Sequence, residues 1–280
     1  EYVGLEVAIM PREEFEELIS KLEKLDRLRR IKDLAEYILN SRNGSKMFNM
    51  ISKTWNPVTG CKHLCKYCWA RRFAETKLRF TNPKYRNGFK PKLHDDEFKK
   101  TFKDNDIVFV SDMGDLFGEW VSRDWILKVI EYIRKFPRTM FLFLTKNPRR
   151  YFDFVDVMPE NVILGTTIET DRDDLYAKYE ISNAPLPTER IEAMKKLNWS
   201  RKFVSIEPII DFSDSFYKDI AEIGPIMVYV GYDNYNNKLP EPVLNKTENL
   251  IKKLSEFTLV VRKTIRPAWF EKASLLKYRK

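Results

Sequence analysis

The pattern of apolar and polar residues along the chain changes near residue 48. Residues 13–40 are rich in charged side chains, and apolar side chains recur among them at intervals of three or four residues. This spacing is typical of an amphipathic helix, and the polar, glycine-containing stretch 41–45 predicts its end. We therefore expect residues 1–47 to form an N-terminal helical extension that packs on one main domain, residues 48–280.

From residue 48 onward, short runs of β-branched and aromatic residues alternate with amphipathic stretches. The predicted strands are 50–54, 107–111, 140–145, 162–168, 203–206, 226–230 and, least clearly, 259–262. The stretches with helical spacing are 66–78, 123–136, 148–155, 187–197, 214–223 and 243–256. This alternation predicts βαβ units and a parallel sheet. The expected fold class is α/β, a partial (β/α)6-type TIM-like barrel with the N-terminal helical extension, and the main domain ends in a helical and strand segment.

Composition narrows the class of protein further. The chain has 280 residues, of which 43% are hydrophobic, and its 50 Lys and Arg exceed its 41 Asp and Glu. No apolar run approaches the roughly 18 residues that span a bilayer, and residues 1–12 lack the order of a signal peptide, so we expect a cytoplasmic protein without a membrane partner. The lack of Gln and the many Lys and Glu favour a thermophilic source. The modest positive excess makes nucleic acid one candidate partner.

The cysteines of the chain all lie within eight residues, as Cys61, Cys65 and Cys68. An odd, clustered set does not suit a disulfide framework and favours a metal or cluster site in a reducing compartment. Three thiolates on a loop after a strand can bind three irons of a four-iron, four-sulfur cluster and leave the fourth iron open to chelate a small molecule. The alternative is a structural zinc site, which prefers four ligands and would have to recruit His63 or a distant group.

Several ordered segments resemble a known family. Cys61-x-x-x-Cys65-x-Tyr67-Cys68 is similar to the signature of radical S-adenosylmethionine (SAM) enzymes. The wider set of similar segments is WNPVTGC at 55–61, SDMGDLF at 111–117, FLFLTKNP at 141–148, LGTTIE at 164–169 and FVSIEP at 203–208. Together they resemble a phage-associated radical SAM family of unknown substrate, distantly related to spore photoproduct lyase. The chain departs from that family at residues 230–233, where a Gly-Gly-Glu-like strand end is usual.

The resemblance implies two cofactors, a [4Fe-4S] cluster and SAM. It implies that the three cysteines hold the cluster and that Tyr67 lies beside the adenine of SAM. It also implies that the segment after the second strand accepts the amino group of SAM, which makes candidates of Asp112, Met113, Gly114 and Asp115. Helix capping by an aspartate is the alternative for this segment.

The ends of the next strands carry further candidates, because the loops of an α/β barrel converge there. Lys146 could meet a substrate anion or the SAM carboxylate, and an ordinary surface lysine is the alternative. Thr167 and Glu169 are candidates for binding the ribose hydroxyls, since a carboxylate accepts from a diol. Ser205 and Glu207 have a similar position on the fifth strand.

Tyrosines cluster around the end of the sixth strand. Tyr229 and Tyr232 are candidate catalytic residues that would donate a hydrogen atom or stack on a planar substrate, and packing is the alternative. No cysteine remains outside the loop to return a hydrogen atom. That absence disfavours a lyase cycle of the photoproduct type.

Basic and aromatic residues interleave between Arg71 and Lys103. Basic side chains neutralise phosphates and aromatic rings stack on bases, so this segment is a candidate site for a nucleotide or nucleic acid, although a charged run is more often a solvated face. We expect a radical SAM enzyme with an external one-electron reductant. It would cleave SAM to a 5′-deoxyadenosyl radical that abstracts hydrogen from its substrate during modification or repair. The alternatives are a zinc-stabilised nucleic-acid-binding protein without catalysis and an iron–sulfur redox sensor.

Overall fold

The computed structural model describes residues 50–271 and, from the preceding part of the chain, residues 21, 22, 25, 26, 28, 29, 31 and 32, which are helical. The rest of the predicted N-terminal extension, its boundary at residue 47, and residues 272–280 lie outside the described residues. Ile31 packs against the apolar cluster formed by one face of the sheet. This helical part therefore contacts the main domain.

Seven parallel strands form one sheet whose spatial order follows the chain. The strands of this sheet are β1 (Lys53–Trp55), β4 (Ile107–Val110), β5 (Met140–Thr145), β6 (Val162–Thr167), β7 (Lys202–Ile206), β8 (Met227–Val230) and β9 (Leu259–Arg262). Two short strands, β2 (Val58–Thr59) and β3 (Lys92–Leu93), pair antiparallel. The sheet is curled into a half-barrel with helices, which confirms the predicted α/β partial barrel. It has seven strands rather than six, because the least clearly predicted strand is present as β9.

The connections between the strands contain the helices. The α-helices are α1 (Trp69–Phe73), α2 (Arg79–Thr81), α3 (Arg123–Ile133), α4 (Asp173–Lys178), α5 (Pro187–Lys196), α6 (Phe216–Ile223) and α7 (Leu244–Leu254). A π-helical turn (Ala74–Leu78) joins α1 to α2, and 3₁₀ turns cover Pro83–Tyr85, Asp95–Lys99, Pro148–Asp153 and Val155–Val157. Within the described residues, no helix has both the length and the apolar composition to cross a bilayer.

Local chemistry sets several helix ends. The Ser122 side chain accepts a hydrogen bond from Trp125 N at the start of α3, which satisfies an otherwise unpaired N–H. Pro187 opens α5, where its missing N–H is not needed, and Gly224 ends α6 with φ 67°, a left-handed conformation that glycine adopts freely. The predicted helix 148–155 is instead two 3₁₀ turns, a geometry confined to short pieces. The six-residue α4 was not predicted, because it is too short to show a helical period.

Apolar side chains cover both faces of the sheet, since successive residues of a strand point to opposite sides. On one face, Val108 and Val110 belong to a large cluster with helix residues such as Ile126. On the other face, Ile107 and Phe109 belong to a smaller cluster that includes residues of β5 to β8. Both faces of the sheet are therefore covered by apolar cores. Polar residues lie at the carboxyl ends of the strands.

Candidate functional site

A cavity of about 440 Å³ opens at the carboxyl ends of the strands. Cys61, Cys65 and Cys68 all line it. The other predicted site residues that line it are Tyr67, Asp112, Gly114, Asp115, Lys146, Thr167, Ser205, Glu207 and Tyr232. Met113, Glu169 and Tyr229 are not among its lining residues. The structure therefore brings most of the predicted residues together where α/β barrels gather their reactive groups.

The cysteine loop begins at a backbone position that only glycine fits. Gly60 has φ +84°, and a Cβ atom there would lie 2.4 Å from the carbonyl carbon and oxygen of Lys90. Gly60 N donates to the carbonyl oxygen of Met113 at 2.9 Å, and Gly60 pairs with Gly114 in an isolated bridge. These contacts attach the loop to the segment that follows β4. Met113 thus takes part through its backbone, and its side chain is buried.

His63 lies between the first two cysteines in the sequence, and its side chain is engaged by Asp115 and Trp120. It is buried, its Nε2 lies 3.0 Å from Asp115 Oδ2, and its ring packs edge-on against Trp120 at 4.7 Å between centroids. Its carbonyl oxygen accepts from Asn183 N at 2.6 Å. Among the described residues, no group of three or more His, Cys, Asp or Glu is placed to hold a metal ion. Because this holds for the three cysteines as well as for His63, it does not separate a zinc site from a cluster. His63 Nε2 is engaged by Asp115.

Each of the three sulfur atoms has a hydrogen-bond partner. The pairs are His63 N to Cys61 Sγ at 3.4 Å, Arg71 N to Cys68 Sγ at 3.3 Å, and Ser182 Oγ with Cys65 Sγ at 3.2 Å. Burial raises the pKa of Cys61 and of Cys68, so their thiolates need a cation for compensation. Three half-buried thiols with such partners beside one cavity fit an iron–sulfur cluster, whose properties depend on hydrogen bonds to sulfur.

The two aspartates after β4 have different environments. The donors to the buried Asp115 carboxylate are His63 Nε2 at 3.0 Å, Thr145 Oγ1 at 2.7 Å, Lys146 N at 3.0 Å and Phe117 N at 3.1 Å. Burial would raise the pKa of Asp115, but these hydrogen bonds and His63 hold it below its usual value. Burial raises the pKa of Asp112 to about 6, although Asn56 donates to it. Asp112 is therefore the carboxylate of this segment that has capacity left for a ligand.

Glu169 lies behind the cavity wall rather than in it. It is 0% exposed, Arg190 Nη1 donates to its Oε2 at 2.7 Å, and Tyr67 and Lys146 both donate to its Oε1. Burial alone would raise the pKa of Glu169, but Arg190 and Lys146 outweigh it and lower the pKa to about 2. Glu169 thus contacts Tyr67 and Lys146, with Lys146 Nζ 5.2 Å from the centroid of the Tyr67 ring, and its role in binding the ribose stays a prediction.

The ends of β6 and β7 supply a polar part of the cavity wall. Thr167 and Ser205 are neighbours in the strand register, and both line the cavity. Glu207 also lines it and accepts from Lys263 Nζ at 2.8 Å. Two adjacent hydroxyls and a carboxylate–ammonium pair can bind a polar small molecule.

The two candidate catalytic tyrosines do not present free phenol groups to the cavity. Tyr229 is buried in the apolar cluster and packs edge-on against Phe203 at 5.3 Å. Tyr232 reaches the cavity wall, but its hydroxyl lies 2.7 Å from Thr247 Oγ1 and 3.1 Å from the carbonyl oxygen of Pro242. These contacts favour the packing alternative, and the catalytic role of the two tyrosines stays a prediction.

Three residues that hydrogen-bond to predicted site residues were not identified from the sequence pattern. Arg190 lies on α5 and is fully buried, but an arginine in an amphipathic helix carries no signal of burial. Asn56 bonds to Asp112 from the segment after β1, where it looks like a turn residue. Lys263 follows β9 directly, and its position after a strand end is a signal that could have identified it.

These features define an open α/β barrel with a three-cysteine loop beside a cavity at its strand ends. Residues 46–228 match the family described as "Protein of unknown function (DUF5131)". The chain belongs to this family. No protein with curated annotation matches it.

Among solved structures, the chain is similar to spore photoproduct lyase. A cysteine-to-serine mutant of that enzyme has a TM-score of 0.50 and 13% identity, over 78% of this chain and 64% of the other. A mutant with bound AdoMet and dinucleoside spore photoproduct has a TM-score of 0.49 and 12% identity, over 86% and 74%. A radical SAM methyltransferase from Sphaerobacter thermophilus has a TM-score of 0.47 and 15% identity, over 78% and 67%. At this identity the similarity to the first structure establishes the fold, and the chain spans less than two thirds of that protein.

Proposed function

We propose that this protein is a radical SAM enzyme. The observation that carries the proposal is the convergence of all three cysteines and of polar strand-end residues on one cavity. When bound, a [4Fe-4S] cluster of this class supplies the electron that cleaves SAM to methionine and a 5′-deoxyadenosyl radical, which abstracts hydrogen from a substrate. An external one-electron reductant is required.

Cys61, Cys65 and Cys68 are the residues that would hold the cluster. Their sulfur atoms have hydrogen-bond partners, and all three residues are only half-buried. Because the loop supplies three thiols and His63 is engaged by Asp115, a cluster held by these residues would have one iron left for SAM. This donor set supports a cluster with an open coordination position.

Other residues of the cavity would bind and orient SAM. Asp112, with a pKa of about 6, carries a negative charge at neutral pH and suits an N–H donor such as the amino group of SAM. Tyr67, held by Glu169, offers a ring to the adenine, and Thr167 and Ser205 offer hydroxyls to the ribose or the carboxylate. Binding by fixed groups of this kind orients the reacting atoms and excludes water.

The substrate class that we propose is a nucleotide or a nucleic acid. The segment from Arg71 to Lys103 follows the cysteine loop directly and combines basic with aromatic residues. Such a combination suits phosphates and bases. Modification or repair of a nucleic acid is the reaction type that this placement supports.

Iron analysis and SAM cleavage test the proposal. Anaerobically purified protein is expected to contain about four iron and four sulfide ions per chain and to form 5′-deoxyadenosine from SAM when reduced with dithionite. Cys65→Ser should lose both properties, because it removes one cluster ligand. Thr76→Ala, an exposed change on the following helical turn, is the control and should retain them. If the protein contained zinc and no iron, the cluster assignment would be wrong. If it contained iron but formed no 5′-deoxyadenosine, the redox-sensor alternative would be supported instead.

A further inference from the structure

The positive charge of the chain is concentrated in one short segment. Residues 62–92 contain ten Lys and Arg and one acidic residue, Glu75, a net charge of +9. The whole chain also has a net charge of +9, so the other 249 residues carry forty basic and forty acidic side chains. The excess is therefore a local patch that starts in the cysteine loop, and its field acts where the cavity opens.

Much of this segment is one continuous helical stretch. Residues 69–81, which we call the basic helix, comprise α1, the π-helical turn and α2. Phe73 is 38% exposed and Phe80 is 84% exposed on it, and Lys77 Nζ lies 5.6 Å from the centroid of the Phe73 ring. The basic helix thus presents aromatic rings and ammonium groups to solvent.

The basic helix leads to the cavity through a contact at its first turn. The guanidinium of Arg72 lies 5.2 Å from the centroid of the Tyr235 ring. Tyr235 is 47% exposed and lines the same cavity as the cysteines. Tyr235 therefore connects the cavity wall with Arg72 on the basic helix.

The cations of this patch are mostly free to bind an outside anion. Within the described part of the chain, no ion pair or hydrogen bond is made by the side-chain nitrogens of Arg72, Lys77, Arg79, Arg86 or Lys90, and all five residues are exposed. Lys84, by contrast, pairs with Asp96 and Glu97. Exposed basic groups without acidic partners are those that phosphates can neutralise at little cost.

We infer that the basic helix binds single-stranded nucleic acid, with bases stacked on Phe73 and Phe80 and phosphates neutralised by the surrounding Arg and Lys. Binding of the strand does not depend on the proposed function. Its purpose does rest on the proposed function: the strand would deliver one nucleotide past Arg72 and Tyr235 into the cavity. Stacking on exposed rings requires bases that are not already stacked in a duplex. An acidic protein would match the charge but would leave the exposed rings without a flat partner.

Fluorescence anisotropy with the anaerobically reconstituted protein tests this inference. The probes are a labelled single-stranded oligonucleotide of mixed sequence, the matching duplex and a polyglutamate peptide. We expect the single strand to bind about tenfold more tightly than either competitor, and Phe80→Ala to weaken it about tenfold, as loss of one stacked base predicts. Phe152→Ala, which removes a ring that is 41% exposed and lies outside the basic helix, is the control and should leave binding unchanged.

Salt dependence separates phosphate contacts from other effects. Lys77→Ala and Arg79→Ala should each reduce the slope of log affinity against log salt by about 0.7, the value for one phosphate on a single strand. Lys252→Ala, an exposed change on α7, should not change it. Equal binding of duplex or polyglutamate, or no effect of Phe80→Ala, would overturn the inference.

The same preparations are assayed for SAM cleavage without oligonucleotide. Cleavage without strand binding would reject the basic helix as a nucleic-acid site and leave the proposed enzyme intact. Strand binding that depends on Phe80 in a protein that does not cleave SAM would support the site and reject the proposed enzyme.

Discussion

The substitution Glu169→Gln removes the negative charge from a buried cluster that also contains the positive charges of Arg190 and Lys146. Glu169 and Arg190 are both 0% exposed and are joined at 2.7 Å, and Lys146 donates to the same carboxylate. Loss of the charge leaves Arg190 buried without a counter-ion, which is costly because its solvation by water is already lost. The substitution keeps the size of the side chain, so that charge is the property that changes.

The pKa of Glu169 sets the expected magnitude. A pKa lowered from 4.5 to about 2 corresponds to about 3 kcal/mol in favour of the charged form. For a chain of this size, that loss is expected to lower the thermal midpoint by about 6–12 °C. The matched control is Asp174→Asn, which breaks an exposed pair with Arg172 and should leave the midpoint unchanged.

The pH dependence gives the sign of the effect. Because the pKa is lower in the folded protein than in the unfolded chain, the stabilisation is complete above pH 4.5 and is lost as the pH falls towards 2. Differential scanning calorimetry should therefore show the gap between wild type and Glu169→Gln closing over that range. A gap below about 1 kcal/mol at neutral pH, or one that does not close in acid, would refute the reasoning.

Three further predictions concern the cavity. Asp112 loses its proton near pH 6, so SAM binding measured by calorimetry should tighten as the pH rises through about 6, and Asp112→Asn should abolish that rise; a similar rise in the variant would contradict the role of this carboxylate. Tyr232→Phe should cost about 1 kcal/mol of stability through its lost bond to Thr247, with 5′-deoxyadenosine formation unchanged; loss of that activity at unchanged stability would restore its catalytic role. Gly60→Ala should displace the loop, since its Cβ would meet the Lys90 carbonyl, and iron content should fall several-fold; full iron content would show that the loop adapts.

The strands and the cysteine loop could be predicted because their signals are local. Apolar β-branched runs separated by helical stretches imply a parallel sheet wherever they occur, and even the weak run at 259–262 is a strand. The spacing of Cys61, Cys65 and Cys68 belongs to one short loop. Their meeting with Asp112 and Ser205 in one cavity also followed, because all parallel strands end at the same edge.

The roles of individual strand-end residues could not be predicted. Glu169 and Asp112 are both acidic residues near strand ends, yet one is sealed by Arg190 and the other keeps a pKa of about 6. The difference depends on α5, which is distant in sequence from β4 and its loop. Tyr232 also lies near a strand end, but its hydroxyl bonds to Thr247 of α7, which the sequence pattern does not indicate.

The sequence by itself therefore determined the fold class, the cysteine loop and the net positive charge of the segment that follows it. Each depends on residue order within a short stretch, which backbone geometry converts into structure in a regular way. Only the tertiary structure decided which charges are paired, which rings are exposed and which polar groups face the cavity. Those properties depend on the neighbours that packing brings from distant parts of the chain, as the meeting of Arg72 with Tyr235 illustrates.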